Sequence, residues 1–374
     1  MGAIAVPITN APEGKKQEFH DVGQIEWAVE IAGADTQISR TGRTADHPLY
    51  SGLRACSTPG LVLFSSGTTG RSKASVLNMD RILGRYAERR RAQCTLSFLN
   101  LDHIGGINTL LHTLSQGGTV VTIPHRSPKE VFESIERHKV SVLPTTPTFL
   151  TMTLISGAHL SHDTTSLEMI TYGTEPMPQQ TLDRLSTDMP GVRLKQTYGL
   201  SELGIMATKS KSNDSLWVKL GGDDFVYKVV DGVLWIKSEL AMLGYLNADA
   251  PFDDEGYFNT QDSVEVDGEY LRILGRTSEI INVGGEKVYP NEVESVLLEM
   301  ANVADVTVSG RSNPVMGNVV DAVIRLIEPE DLQSLRLRVD AHCRTRLEPF
   351  KVPAAISIST GDHHSDRFKK VRVR

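Results

Sequence analysis

Between residues 61 and 197 the chain alternates short apolar runs with stretches whose apolar residues recur at helical spacing. Residues 61–64 read as a buried strand. Asn78 then caps a helix in which Ile82, Leu83 and Tyr86 share a face. Residues 119–123 form the next strand. Ser127 caps a helix to residue 139, with Pro128 at its first position. Strands follow at 140–143, 167–172 and 193–197, the last two separated by a helix over 178–188. Strand–helix–strand repetition implies a parallel sheet, because parallel neighbours need a crossover connection. That requirement excludes all-helical and all-antiparallel folds for this half of the chain.

Near residue 214 the pattern changes. Runs at 225–230 and 233–237 flank Asp231-Gly232, and runs at 263–266 and 270–274 flank Asp267-Gly268, with Glu269 extending that turn. Asp-Gly between alternating apolar residues signals an antiparallel hairpin. From residue 277 a third character begins. Pro290 and Asn291 open a helix carrying Val293, Val296, Leu297 and Met300. Strands near 304–308 and 319–327, a helix over 332–346 and a strand near 354–359 complete a small α+β lobe. The expected fold is α/β: a large N-terminal domain over 1–276, with mainly parallel sheets plus an antiparallel region, and a small mobile C-terminal lobe over 277–374. A chain of 374 residues is comfortable for two domains. The first 20 or so residues are mixed and polar with no clear period.

Charge and cysteine usage narrow the function classes. A net charge of −7 argues against nucleic-acid binding, although residues 367–374 carry five basic side chains. Cys56, Cys94 and Cys343 have neither metal-ligand spacing nor a disulfide framework, which fits a reducing compartment. No apolar run has the length of a membrane span. The start shows no secretory signal, and Val6 stands where a myristoylation signal wants Ser or Thr. The expectation is a cytoplasmic protein that binds neither nucleic acid nor membrane.

The strongest chemical signal is Ser65-Ser66-Gly67-Thr68-Thr69-Gly70-Arg71-Ser72-Lys73, directly behind the apolar run at 61–64. Glycines let backbone N–H groups approach phosphate oxygens, hydroxyls donate hydrogen bonds, and lysine adds a mobile charge. The spacing is not that of the common P-loop, which needs Gly-x-x-x-x-Gly-Lys-Ser/Thr. Further along stand Gly173-Thr174-Glu175-Pro176-Met177 at a strand end, Tyr198-Gly199-Leu200-Ser201-Glu202, Asp262 with Leu274-Gly275-Arg276, and Gly284-Gly285 before Lys287. Lys369-Lys370-Val371-Arg372 lies in the basic tail.

Taken in this order, these segments resemble the adenylate-forming superfamily of acyl- and aryl-CoA synthetases, luciferases and peptide-synthetase adenylation domains, over residues 58–374. The resemblance implies that Thr68, Thr69, Gly70 and Lys73 handle the β- and γ-phosphates of ATP. It makes Gly173, Thr174 and Glu175 an adenine-contacting turn, beyond the carboxyl end of a strand where ligands of open α/β sheets sit. Tyr198, Gly199 and Ser201 would line the adenine, and Glu202 would hold Mg²⁺, a cation that suits a lone carboxylate shared with phosphates. Ser201 replaces the family's usual Thr and keeps its hydroxyl. Asp262 would accept both ribose hydroxyls, for which a carboxylate has two oxygens, and Arg276 would give a second sugar or phosphate contact. Gly284 and Gly285 would face the site after the small lobe rotates, leaving room for a pantetheine arm.

Three features depart from the family pattern or stay open. The tail keeps the family's Lys-to-Arg spacing at Lys369 and Arg372, but Phe368 stands where Gly is usual, so Lys369 is the catalytic candidate and Lys370 its rival. The hinge position two after Arg276 is Ser278 instead of Asp or Lys. Relatives also carry a much longer stretch before the Ser/Gly/Thr loop, so the resemblance implies an N-terminally shortened member whose acyl pocket is open or closed by a partner subunit. His103 sits where aryl- and acyl-activating relatives have a gate, and Asp102 beside it is not in the amino-acid-activating pattern. A carboxylic acid without an α-amine is therefore the expected substrate, activated to an acyl-adenylate and passed to the thiol of CoA or of a carrier-protein phosphopantetheine. An amine acceptor, or a non-catalytic adenylate-binding partner subunit, are the alternatives.

Overall fold

A computed structural model describes residues 2–9, 11–33, 35–66, 72–222, 224–361, 364 and 370. Its central layer is a five-stranded parallel sheet. The spatial order is Arg193–Gln196, Met169–Tyr172, Val142–Thr145, Cys94–Leu96 and Thr119–Val121. Helices Pro128–His138, Pro147–Ser156 and Gln179–Asp188 cover one face. Val131, Phe132, Ile135, Phe149, Leu150 and Leu182 meet Leu96, Leu143, Ile170 and Leu194 there in one buried cluster. Local chemistry sets where these helices begin. The hydroxyl of Ser127 accepts from the backbone N–H of Glu130, with Pro128 in the first turn, and that of Thr146 accepts from Phe149 ahead of its own Pro147.

The strand expected at 61–64 does not join this sheet. It extends over Gly60–Ser66 and pairs antiparallel with Ser72–Asn78, Ser65 facing Lys73. The reason is length: the five residues 67–71 between the two strands can close a hairpin but cannot make a parallel crossover. Asn78 does cap the next helix, Met79–Gly84, through Arg81 N–H. That helix is short, and Leu83 is exposed while Ile82 is buried.

A six-stranded antiparallel sheet follows, in the order Ala207–Ser210, Val218–Gly221, Tyr270–Arg276, Phe258–Asp267, Val233–Ser238 and Phe225–Val230. Asp231 (φ 52°) and Gly232 (φ 75°) form the expected turn with two left-handed residues. In the second hairpin Asp267 pairs with Tyr270, so Gly268 and Glu269 are the turn residues. A separate core drawn from residues 281–356 packs helices Pro290–Leu298 and Leu332–Arg344 on a five-stranded sheet. The fold is thus the expected mixed α/β arrangement, a large N-terminal domain followed by a small C-terminal one.

The N-terminal region holds structure the sequence reading did not foresee. Helix Glu13–Val22 precedes a ribbon of Trp27–Ala32 paired with Asp35–Arg40. Trp27, Val29 and Ile31 lie on one face of the ribbon with Ile38, which pairs with Val29, and all four are more than half exposed.

Candidate active site

Glu202 occupies the turn between the short paired strands Gly199–Leu200 and Gly204–Ile205. A Cβ at Gly199 would come within 2.6 Å of the Gly204 carbonyl oxygen, so this tight pair needs glycine there. Glu202 and Ser201 are both buried. The Ser65 hydroxyl donates to Glu202 Oε1 at 3.3 Å and the Tyr245 hydroxyl donates to the same oxygen at 2.8 Å. Among the described residues Oε2 accepts no hydrogen bond. Lys73 Nζ stands 5.3 Å from the centre of the Tyr245 ring. Burial first, and the Glu202 charge second, push the Tyr245 hydroxyl well above its ordinary range, so it stays protonated as a donor. Lys73 and Glu202 are therefore brought to one place, at the mouth of the hairpin that carries the Ser/Gly/Thr loop. Thr68, Thr69 and Gly70 lie outside the described residues.

Tyr245 was missed in the sequence. It sits on a two-residue strand, Gly244–Tyr245, added antiparallel to Ser72–Asn78. No motif marks it, because its role comes from a pairing over more than 160 residues of chain.

A second cluster forms around Asp262. The Tyr198 hydroxyl donates to Asp262 Oδ2 at 2.5 Å, and Arg276 Nε lies 2.8 Å from Oδ1. Arg276 also donates to the Thr260 carbonyl at 2.9 Å. The strands place these groups directly opposite each other, with Asp262 facing Arg276 and a register irregularity between Ser263 and Val264. Gln261 (φ 59°) and Gly275 (φ 137°) take the left-handed backbone that flanks it. Burial raises the Asp262 carboxyl above the usual carboxylate range, against the opposing pull of Arg276 and Tyr198. Burial, then the Asp262 charge, hold Tyr198 protonated far above its ordinary range. Both oxygens of this carboxylate are thus already engaged, one by a phenol and the other by a guanidinium.

The turn 173–177 closes against the same region. A Cβ on Gly173 would lie 2.6 Å from both the carbonyl and the hydroxyl oxygen of Thr197, the residue before Tyr198. Thr174 has φ 75°, an unfavourable left-handed state for a β-branched residue. The Glu175 side chain makes contacts the sequence did not suggest. Its Oε1 accepts from Thr148 N–H at 2.7 Å, in the first turn of helix Pro147–Ser156, and its Oε2 accepts from Lys370 N–H at 3.1 Å. The Lys370 ammonium is 3.5 Å from Glu294 and 3.6 Å from Asp305. Lys369 lies outside the described residues.

His103 is half-buried and its Nδ1 accepts from Gly105 N–H at 3.3 Å, capping helix Ile104–Ser115. Its neighbour Asp102 accepts from the Thr9 hydroxyl at 2.6 Å. Gly284 (φ 60°) and Gly285 (φ 96°) form the turn between Ile281–Val283 and Glu286–Val288, and both are exposed. Gly284 is fitted against the small lobe's own Met316, whose carbonyl accepts its N–H at 2.8 Å. The structure therefore gathers Lys73, Glu202, Tyr198, Asp262, Arg276 and the 173–175 turn, while the glycine pair stands out on the small lobe.

Residues 18–246 match the sequence model of the AMP-binding enzyme family, and residues 292–362 match the AMP-binding enzyme C-terminal domain. The chain belongs to the AMP-binding enzyme family. An indoleacetate–CoA ligase of Aromatoleum aromaticum is 31% identical over 74% of this chain and 59% of its own length. The structure of the anthranilate CoA ligase AuaEII in complex with anthranoyl-AMP superposes with a TM-score of 0.71 at 21% identity, covering 83% of this chain and 65% of that one. The amide bond synthetase McbA of Marinactinospora thermotolerans gives 0.69 at 24% identity, covering 82% and 66%. Four curated CoA ligases of such similarity are spanned over only 50% to 61% of their length. Among the described residues of this AMP-binding enzyme, no helix is long and apolar enough to cross a membrane, and no group of three or more His, Cys, Asp or Glu could hold a metal ion. Glu202, with one oxygen hydrogen-bonded and the other accepting none among the described residues, suits a Mg²⁺ ion that takes its other ligands from phosphate and water.

Proposed function

We propose that this AMP-binding enzyme activates a carboxylic acid without an α-amine and transfers the acyl group to a thiol, of CoA or of a carrier-protein phosphopantetheine. The observation that carries this reading is the presence of two clusters: Asp262 with Tyr198 and Arg276, and Lys73 with Glu202 and Tyr245 at the mouth of the Ser/Gly/Thr hairpin. In the first step a carboxylate oxygen attacks the α-phosphorus of ATP and pyrophosphate leaves. Lys73, with Thr68, Thr69 and Gly70, holds the β- and γ-phosphates, and Lys369 holds the substrate carboxylate against the α-phosphate. Bound at Glu202, Mg²⁺ would neutralise phosphate charge. No protein nucleophile is needed, since positioning and charge neutralisation carry the step. Lys370 is poorly suited to the role of Lys369, because two carboxylates beside its ammonium would repel an incoming anion.

In the second step the lobe 277–374 turns about Ser278, which lies in the short helical turn Thr277–Glu279, and presents Gly284 and Gly285. The thiol sulfur attacks the acyl carbon, AMP leaves, and the thiol proton passes to solvent. His103 borders the acyl side. The relatives' names support CoA as acceptor, while the likeness to an amide bond synthetase favours an amine as second reading. The deciding experiment measures pyrophosphate release from ATP with indoleacetate, anthranilate and 2-succinylbenzoate, then adds CoA or an amine and weighs the product. Release followed by a thioester supports the proposal. An amide alone selects the second reading. No release with any acid, despite ATP binding, makes the chain an adenylate-binding partner subunit.

A further inference from the structure

Lys370 meets the large domain at a carboxylate. Glu175 uses both oxygens on backbone donors from opposite sides: Thr148 N–H at the start of helix Pro147–Ser156, and Lys370 N–H from the tail. The Lys370 side chain is keyed into the small lobe at the same time. Glu294 and Asp305 flank its ammonium, and all three side chains are about nine-tenths buried or more. The two acids are themselves fixed, Glu294 by Val308 N–H at 2.9 Å and Asp305 by Val306 N–H at 2.8 Å. A cavity bordered by Thr148, Glu175 and Pro176 of the large domain, and by Asn291, Glu294 and Lys370 of the small lobe, surrounds the junction.

These contacts differ in what lobe rotation would do to them. Lys370, Glu294 and Asp305 belong to one lobe and would travel together. The bond from Lys370 N–H to Glu175 crosses between lobes and must break. Glu175 in turn belongs to the turn whose Gly173 packs on Thr197, beside Tyr198.

We infer that Glu175 and Lys370 form a latch that holds Lys370 and the small lobe it is anchored to against the adenine side of the site for adenylation and releases them for thiol transfer. Lys370 is on this view a positioning residue: its ammonium anchors it on Glu294 and Asp305 of the small lobe, and its amide meets Glu175. The inference rests on the adenylating reading of the site, but the latch can be read without it. In the full chain, hydrogen exchange at the Lys370 amide should rise about tenfold or more in Glu175→Gln, since that carboxamide has one acceptor oxygen for two backbone donors. With ATP and whichever of indoleacetate, anthranilate or 2-succinylbenzoate releases pyrophosphate, Lys370→Met should slow release about tenfold to a hundredfold, the cost of one charge-assisted anchor. Lys370→Arg should restore most of it. Transfer from the matching synthetic acyl-adenylate to CoA should stay within about twofold of the wild type in Lys370→Met, because the placement of the Lys370 amide that the ammonium sets matters only while that amide meets Glu175, and the transfer arrangement has released that bond. Unchanged amide exchange in Glu175→Gln overturns the latch, as do equal losses in both half-reactions or a failure of arginine to rescue. If the unaltered protein releases no pyrophosphate with any acid, the proposed function fails, and the exchange measurement still decides the latch. Should Lys370→Met not fold with the ammonium gone from beside two buried acids, Lys370→Arg and Glu175→Gln carry the test.

Discussion

Replacing Asp262 by Asn tests the nucleotide assignment most directly. The carboxylate now takes a 2.5 Å hydrogen bond from Tyr198 on one oxygen and the Arg276 guanidinium at 2.8 Å on the other. A ribose diol binding here would add hydrogen bonds to a charged acceptor, each contributing roughly 1.5–3 kcal/mol. Asn keeps one acceptor oxygen and loses the charge, so one such bond goes and the other weakens. Because the diol must share the oxygens with Tyr198 and Arg276, the net loss should fall near the lower end, about 2 kcal/mol, or roughly a thirtyfold rise in the Kd for ATP. The fold itself should lose only about 1 kcal/mol, since Arg276 is 45% exposed and water can replace its partner. Calorimetric titration with ATP and with 2′-deoxy-ATP separates the two effects. The wild type should prefer ATP, and Asp262→Asn should show little preference. The pH dependence has a definite sign. Burial raises the folded carboxyl above the usual range, so ATP affinity, which needs the charged form, should be complete above that raised value and fall as pH drops through it, earlier than for an ordinary carboxylate. A variant that binds ATP within threefold of the wild type, and still rejects the deoxy nucleotide, would refute the ribose assignment.

Two further outcomes are expected. Gly173→Ala sets a methyl group 2.6 Å from backbone and side-chain oxygens of Thr197, so thermal unfolding should show a loss of about 1–3 kcal/mol together with weaker ATP binding; a fully stable variant with normal binding would mean the turn yields freely. Iodoacetamide at pH 8 should label exposed Cys56 first and Cys343 only on unfolding, because burial pushes the Cys343 thiol up to about 11, and peptide mass mapping would contradict this by finding Cys343 labelled in the folded protein.

The local elements were legible because their causes are local. Ser127 and Asn78 cap the helices they were expected to cap. Asp231-Gly232 makes its left-handed turn, and the parallel strands from 142 to 196 stand where apolar runs met helical spacing. The pairing of the strand at 60–66 was misjudged. Strand and connection were both visible, but the expected crossover overlooked how short the connection is. The ribbon at 27–40 also went unseen, although Trp27, Val29 and Ile31 alternate ahead of Gly33. That signal was present, in a stretch whose apolar face is exposed and builds no core.

By itself, the sequence determined the α/β class, the two-part layout and the family, because motif order along the chain survives any arrangement in space. It also nominated the residues proposed for the site. Only the tertiary structure decided what those residues touch. Tyr245 reaches Glu202 through a two-residue strand, Arg276 meets Asp262 through an irregular pairing, and Glu175 points at Thr148 and Lys370 instead of standing alone in a turn. Each contact joins residues brought together by sheet pairing or by packing of one lobe on the other. Hydrogen bonds of about 3 Å depend on register and orientation, which no single stretch of chain encodes.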